Sequence, residues 1–376
     1  MQRISVAHLQ PGMVVAKNVF SAQGQLLLSQ GTILTKRYID RLPLLGITSI
    51  YIANPYTDDL EVPETIREET RQQAIATVQQ SFAKFRLGRR LDLNALETAA
   101  QAIVDEILQN RAALIHLTDI RTYDDYTFGH SVNVSILSVF TGLSLGYARG
   151  QLEELALGGM LHDLGKIAIP PAILNKPGKL SAEEMAIMQQ HAATGFEILR
   201  KQNPEIPLLA AHIAFQHHER LDGSGYPRGL KGDEIHPYAR IAAIADVYDA
   251  LTSDRPYRRA MPPHEAYEIL LVFHNKHFDG AMLDQFLRRI ACYPVGSFVQ
   301  LNSGEVAVVI HVPPDLPLRP TVRLLTDREG RALPQPYEVD LTKELSAFIC
   351  KVLAEDEIIA LGNRLSVQDL SQALNY

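Results

Sequence analysis

The chain has 376 residues, 46% of them apolar and 21% charged, with a net charge of −7, which fits an ordinary soluble globular protein of about two or three domains. Two cysteines, Cys292 and Cys350, give neither a disulfide framework nor a cysteine-based metal site and suit a reducing cytoplasm. The acidic balance argues against a nucleic-acid polymer as partner. No apolar run approaches the roughly 18 residues of a membrane span, and Met1-Gln-Arg-Ile-Ser5 lacks a signal-peptide pattern.

Residues 1–63 read as a small β-rich regulatory, docking or dimerising unit with a linker. Met13–Phe20 is a strand candidate, followed by a turn at Ala22-Gln-Gly24 and a short strand, Gln25–Leu28. Thr35 caps a short helix that ends near Leu42, before Pro43. Gly46–Ile52 is a further strand, and the acidic stretch Asn54–Pro63, with two prolines, is the linker. Residues 64–117 form a helical connector with one buried face. Leu87-Gly88 interrupts it, Asp92 or Asn94 caps its second half, and Ile103, Ile107 and Leu114 repeat at helical spacing. A signalling helix or the seam of a homodimer is the sharper alternative.

Residues 118–292 are almost wholly helical in pattern. Ser181 with Glu184 three positions on is a capping box, and further helices span Pro207–His218, Tyr238–Ser253 and Pro263–His274. From Tyr293 the pattern changes to strands over Pro294–Leu301, Glu305–His311 and Pro320–Leu325, with turns at Asn302–Gly304 and Asp327–Gly330. Residues 293–376 are therefore expected to be a small β-barrel-like unit with a short helical or extended tail. The fold class is multidomain, with a central all-α bundle between a small N-terminal α+β unit and this C-terminal unit.

The polar residues that demand a chemical explanation lie in 118–292. His162-Asp163 stand side by side, and Lys166 follows at three and four residues, over the same face of a helix. His and Asp suit a divalent metal. His130 opens a helix, His191 lies on the capped helix, and His217-His218 are adjacent at a helix end. Asp246 sits in an apolar helix, where an unpaired carboxylate would be costly to bury. A metal ligand or an Arg or Lys partner would explain it. Any one of these histidines alone reads as a hydrogen-bonded core residue; five histidines and two aspartates together suffice for two metal ions ~3.5–4 Å apart. Asp222-Gly-Ser-Gly-Tyr-Pro227 is a tight irregular loop that presents Tyr226. Arg255 and Arg258, just past the Asp246 helix, suit phosphate oxygens.

Together, His162-Asp163, His217-His-Glu219, Gly223 and Gly225-Tyr-Pro227 resemble the HD-GYP signature. Lys176-Pro-Gly-Lys-Leu180, Ala239-Arg-Ile241, Asp246-Val-Tyr-Asp-Ala-Leu251 and Asp254-Arg-Pro-Tyr257 agree with it in order. The resemblance covers about residues 120–290. It implies a helical HD-type bundle with a non-haem metal centre that hydrolyses the bacterial messenger cyclic di-GMP to the linear dinucleotide, and often on to GMP. The family's metal ligands fall on His130, His162, Asp163, His191, His217, His218 and Asp246. Its lysine falls on Lys166, a catalytic residue with Asp163, and its phosphate- and base-contacting residues fall on Tyr226, Arg255 and Arg258. Some members bind a third metal through a glutamate four residues before the first histidine. Tyr126 stands there instead, so two divalent ions are expected, Fe or Mn with Zn also compatible, and hydrolysis is expected to stop at the linear product.

The expected mechanism is in-line attack by a hydroxide bridging the two metals, with Lys166 and the arginines holding the anionic substrate. A second reading makes the domain a cyclic-dinucleotide-binding or cyclase-docking effector with little catalysis, its Gly-Tyr-Pro loop meeting a diguanylate cyclase. A third keeps the metal site and changes the substrate to another cyclic dinucleotide or a mononucleotide.

Overall fold

Several helices begin where the sequence supplies a side-chain acceptor for their first free N–H groups. In the computed structural model, which describes residues 2–21, 25–60, 65–111, 113–115, 126–253 and 260–373, Thr35, Asp92, Ser181 and Asp279 all serve in this way. Ser181 and Glu184 close their box reciprocally, at 3.3 Å and 2.7 Å.

The N-terminal unit holds strands β1 (Gln2–Ser5), β2 (Val19–Phe20), β3 (Leu26–Leu28) and β4 (Ser49–Ile52), with helix α1 (Lys36–Arg41) before β4. β1 pairs with β4 and β2 with β3, both antiparallel. The extended run expected over 13–20 is regular only at its end; Val14 and Val15 make single bridges to Ile33 and Ile52. Val15, Val19, Leu34, Ile47 and Ile50 form this unit's own core.

Helices α2 (Glu68–Arg86) and α3 (Leu93–Gln109) follow, and then the helices that carry the polar cluster. These are α4 (Tyr126–Ser144), α5 (Arg149–Leu161), α6 (Pro171–Leu174), α7 (Ala182–Gln202), α8 (Leu208–Gln216), α9 (Pro237–Thr252), α10 (Pro263–Val272) and α11 (Gly280–Leu287). One apolar core joins them, running from Val78 and Phe82 through Leu96, Ile103 and Ile107 to Leu137, Phe140, Leu161 and Ile244. α2 packs on α4 and α3 on α5, and Glu106 ties the pair together by accepting from Thr70 Oγ1 at 2.5 Å and Arg67 Nε at 2.8 Å. The two helices before residue 110 are thus built into the bundle that supports the cluster.

The C-terminal unit corrects the barrel expectation. β5 (Phe298–Leu301), β6 (Val306–His311), β7 (Thr321–Thr326), β8 (Ala332–Asp340) and β9 (Ile349–Val352) form an open antiparallel sheet in the order β8-β7-β6-β5-β9. β8 carries Pro334 and Pro336, which have no N–H to give a further strand, and proline in a sheet is confined to edges. The expected short tail is instead a long helix, α12 (Glu355–Ala373), whose Leu361 and Leu365 cover Phe298, Val306 and Val308 on the sheet.

Ile107 is fully buried in the shared core. Ile107→Ala is expected to cost about 2–5 kcal/mol of unfolding free energy in urea. A loss under ~1 kcal/mol would show that α3 is a connector lying on the bundle and not part of it.

Candidate metal centre and substrate pocket

α5 ends with His162 as its C-cap, and the chain tightens into a 3₁₀ turn over Leu164–Ala168. In that turn residues three apart eclipse one another. Lys166 therefore meets Asp163, donating from Nζ to Oδ2 at 2.6 Å. Four other helices bring residues to the same point: α4 carries His130, α7 His191, α8 ends at His217 with His218 following, and α9 carries Asp246. Gly165 makes the approach of α7 possible. A Cβ there would lie 1.9 Å from the His191 carbonyl oxygen and 2.6 Å from Gly195 N, so any larger residue would push His191 away from Asp163.

Backbone carbonyls set the histidine tautomers. His162 Nδ1 lies 2.7 Å from Gly159 O, His191 Nδ1 2.7 Å from Met188 O, and His217 Nδ1 3.0 Å from Ile213 O. A carbonyl oxygen only accepts, so each Nδ1 holds the proton and each Nε2 presents a lone pair. These Nε2 atoms converge on Asp163. His162 Nε2 is 3.3 Å from Oδ2, His191 Nε2 3.5 Å from Oδ1, and His217 Nε2 3.9 Å from Oδ1.

Two groups of donors could each hold a cation: Asp163, His191, His217 and His218 on one side, and His130, His162 and Asp163 on the other. Asp163 belongs to both. Three features fit these residues to divalent metal. His162 Nε2 and Asp163 Oδ1 are buried with no hydrogen-bond partner, at a cost that a coordinated ion would remove. The lone pairs of His191 Nε2 and His217 Nε2 face each other at 3.4 Å, which is repulsive without a cation between them. The donor set, neutral imidazole and carboxylate, suits first-row divalent ions.

The electrostatics agree. Burial, reinforced by neighbouring imidazoles, pushes His217 and His218 well below the usual histidine range, and burial also lowers His191. They are therefore held in the neutral, ligating form. Burial works against charge on Asp163, but His162 and Lys166 outweigh it and hold the carboxyl well below its ordinary range. Burial likewise opposes charge on Asp246, where His130 and His218 prevail. His130 departs from this: burial opposes a proton on it, yet Asp246 and Asp249 carry it up to about 9, so a metal bound there would have to displace a proton held between the two carboxylates.

Asp246 is buried and its neighbours are histidines, His130 Nε2 at 3.1 Å and His218 Nδ1 at 3.8 Å. Among the described residues no lysine or arginine pairs with it. Tyr226 stacks on His218, ring centroids 4.6 Å apart at 30°. Burial, then the charges of Asp246 and Asp163, push its phenol far above the ordinary value, so it remains a donor. Arg255 and Arg258 lie outside the described residues. Sequence reasoning missed Asp249, which holds His130 Nδ1 at 2.7 Å and is itself held by Asn133 Nδ2 at 2.7 Å. Its signal was present: Asp249 is three residues after Asp246, on the same face of α9.

A family model described as an HD domain matches residues 106–282, and one described as a KOW domain associated with HD domain matches residues 298–361. A Pseudomonas aeruginosa protein named cyclic di-GMP phosphodiesterase is 35% identical over 280 residues, 73% of this chain and 67% of that protein. A cyclic di-GMP phosphodiesterase of Thermotoga maritima is 42% identical over 165 residues, 44% of this chain and 45% of its own length. A 3′3′-cGAMP-specific phosphodiesterase of Vibrio cholerae is 43% identical over 142 residues, 38% of this chain and 27% of that protein. The chain thus spans about two thirds of the first relative and less than half of the other two. The fold and the cluster define an HD-domain protein with a histidine- and aspartate-lined site. Within that class the chain belongs to the HD-GYP family. No helix among the described residues is long and apolar enough to cross a membrane.

Asp249 orients a candidate ligand from behind, and removing such support typically costs about 10–100-fold in metal affinity. Asp249→Asn is expected to weaken Mn²⁺ binding by that order in a chelator competition, while the helical circular dichroism stays unchanged. Undiminished affinity would show that His130 needs no such support.

Proposed function

We propose that the chain is a metal-dependent phosphodiesterase that hydrolyses cyclic di-GMP to the linear dinucleotide. The observation that carries this reading is Asp163, a buried carboxylate common to both donor groups, the arrangement a two-metal phosphohydrolase requires. His130, His162, Asp163, His191, His217, His218 and Asp246 are the ligands in this reading, and Fe or Mn, with Zn also compatible, are the ions they suit. Bound there, the metals would supply Lewis acidity at a phosphoryl oxygen and make water in the site acidic enough to react at neutral pH.

The rest of the chemistry belongs to the chain. The Lys166 ammonium, partly open to solvent beside Asp163, neutralises the charge that builds on the phosphate during in-line attack. The Tyr226 hydroxyl keeps its proton and donates a hydrogen bond to the bound dinucleotide. Its stacking on His218 turns it toward the site, which favours a substrate contact over a docking point for a diguanylate cyclase. Arg255 and Arg258 fit the phosphates of the substrate. Tyr126, where a third-metal glutamate would stand, opens α4, and two metals suffice for one cleavage.

Protein purified without oxygen and supplied with Mn²⁺ or Fe²⁺ is expected to convert cyclic di-GMP to the linear dinucleotide, followed by chromatography with 3′3′-cGAMP offered in parallel. Asp163→Ala is expected to abolish conversion. Near-normal turnover by that variant contradicts the assignment, and preference for 3′3′-cGAMP would change the substrate while keeping the site. The linear product is expected to accumulate with little GMP; rapid GMP release, or three metal ions per chain, would overturn the two-metal reading.

A further inference from the structure

Glu219 lies next to the double histidine and has no place so far among the ligands or the substrate contacts. It is buried, and no lysine, arginine or histidine among the described residues forms an ion pair with it. Its partners are two backbone amides: Oε1 accepts from Arg228 N and Oε2 from Leu230 N, each at 2.9 Å. Gly229 stands between them at φ 65°, a left-handed turn that lets alternate N–H groups face one anion.

The loop held in this way doubles back on the backbone that carries the histidines. Tyr226 N–H donates to His218 O at 3.2 Å. Gly225 passes so close that a Cβ would lie 2.4 Å from both His218 O and Arg220 N. Arg220 secures the near side of the clasp, donating from Nη1 to His217 O at 3.1 Å and Glu219 O at 2.9 Å. The stack of Tyr226 on His218 is the outcome of these contacts.

We propose that Glu219 is a positioning residue whose carboxylate latches residues 225–230, so that Tyr226 is held over His218 and faces the substrate. The latch stands on the geometry; its consequence for turnover rests on the phosphodiesterase reading. A carboxylate is suited to the task because it offers one oxygen to each amide. The isosteric Gln offers one acceptor and sets an NH₂ against the other N–H, leaving a buried donor unmet.

Two measurements on Glu219→Gln test this. In hydrogen exchange, the amides of Arg228 and Leu230 are expected to exchange about 10-fold faster or more, the worth of a hydrogen bond to a charged acceptor. Peptides covering His130, His162 and His191 should exchange as in wild type. Unchanged exchange at 228 and 230 overturns the proposal, and so does an equal rise across the site helices, which would make Glu219 a general core residue. In kinetics, metal content is expected to stay at the wild-type level while kcat/KM for cyclic di-GMP falls ~10-fold, with no further fall when the same change is made in Tyr226→Ala. A full additional loss in that background shows that Glu219 does not act through Tyr226. Wild-type protein inactive toward cyclic di-GMP would sink the substrate reading and leave the exchange result to decide the latch.

Discussion

The buried carboxylate of Asp163 sets the terms for everything around it. It is 1% exposed, with the Lys166 ammonium on Oδ2 and imidazole nitrogens of His130, His162, His191 and His217 within 4 Å. A charge so far from water is tolerable only when cations and donors surround it. Lys166 supplies one such cation; His162, His191 and His217, brought in by three helices, present lone pairs and not protons, so the remaining positive charge would fall to an ion held between them and the carboxylate. Gly165 shows how tightly these elements meet: α7 approaches the turn beside Asp163 so closely that the residue there must lack a Cβ.

The second constraint is orientation, and the helix ends supply much of it. The last turn of a helix carries carbonyl groups with no intrahelical partner. Gly159, near the end of α5, gives its carbonyl to His162 Nδ1, and Ala214, near the end of α8, gives its own to His217 Nδ1, which also shares the Ile213 carbonyl with the His217 backbone N–H. Backbone that would otherwise need water thus fixes which ring nitrogen faces the centre. His191 lies within α7 and shares the Met188 carbonyl with the helix ladder, whereas for His130 the side chain of Asp249 provides the acceptor. Glu219 extends the pattern to the loop, this time with a side chain satisfying orphan backbone amides.

The ligand candidates could be read from the sequence because polar residues in apolar helices have few explanations. Asp246 between alanines and isoleucines, and His217 beside His218, signal a centre before any coordinates exist. Their supports could not be read in the same way. Asp249 offered one signal, its place three residues after Asp246 on the same face of α9, but its role is fixed only by its distance to His130, and the partners of Glu219 are backbone amides, which have no residue identity to find. Lys166 meets Asp163, one of the two residues its spacing placed on the same face, but in a 3₁₀ turn and not in an α-helix. At the C-terminal end, alternating apolar residues pointed to β5, β6 and β7 but not to β8 or β9, nor to the openness of the sheet. Whether a sheet closes depends on its edges, and Pro334 and Pro336 mark β8 as one. The joining of α2 and α3 to the central core was hidden for a similar reason, since periodicity shows that a face is buried and not what buries it.

The most direct test of the shared carboxylate is anomalous diffraction from crystals soaked in Mn²⁺ and measured at the manganese edge. The account predicts two peaks per chain, ~3.5–4 Å apart, one on each side of Asp163, the first among His130 and His162 and the second among His191, His217 and His218. A single peak, or a pair that leaves Asp163 uncoordinated, would contradict it.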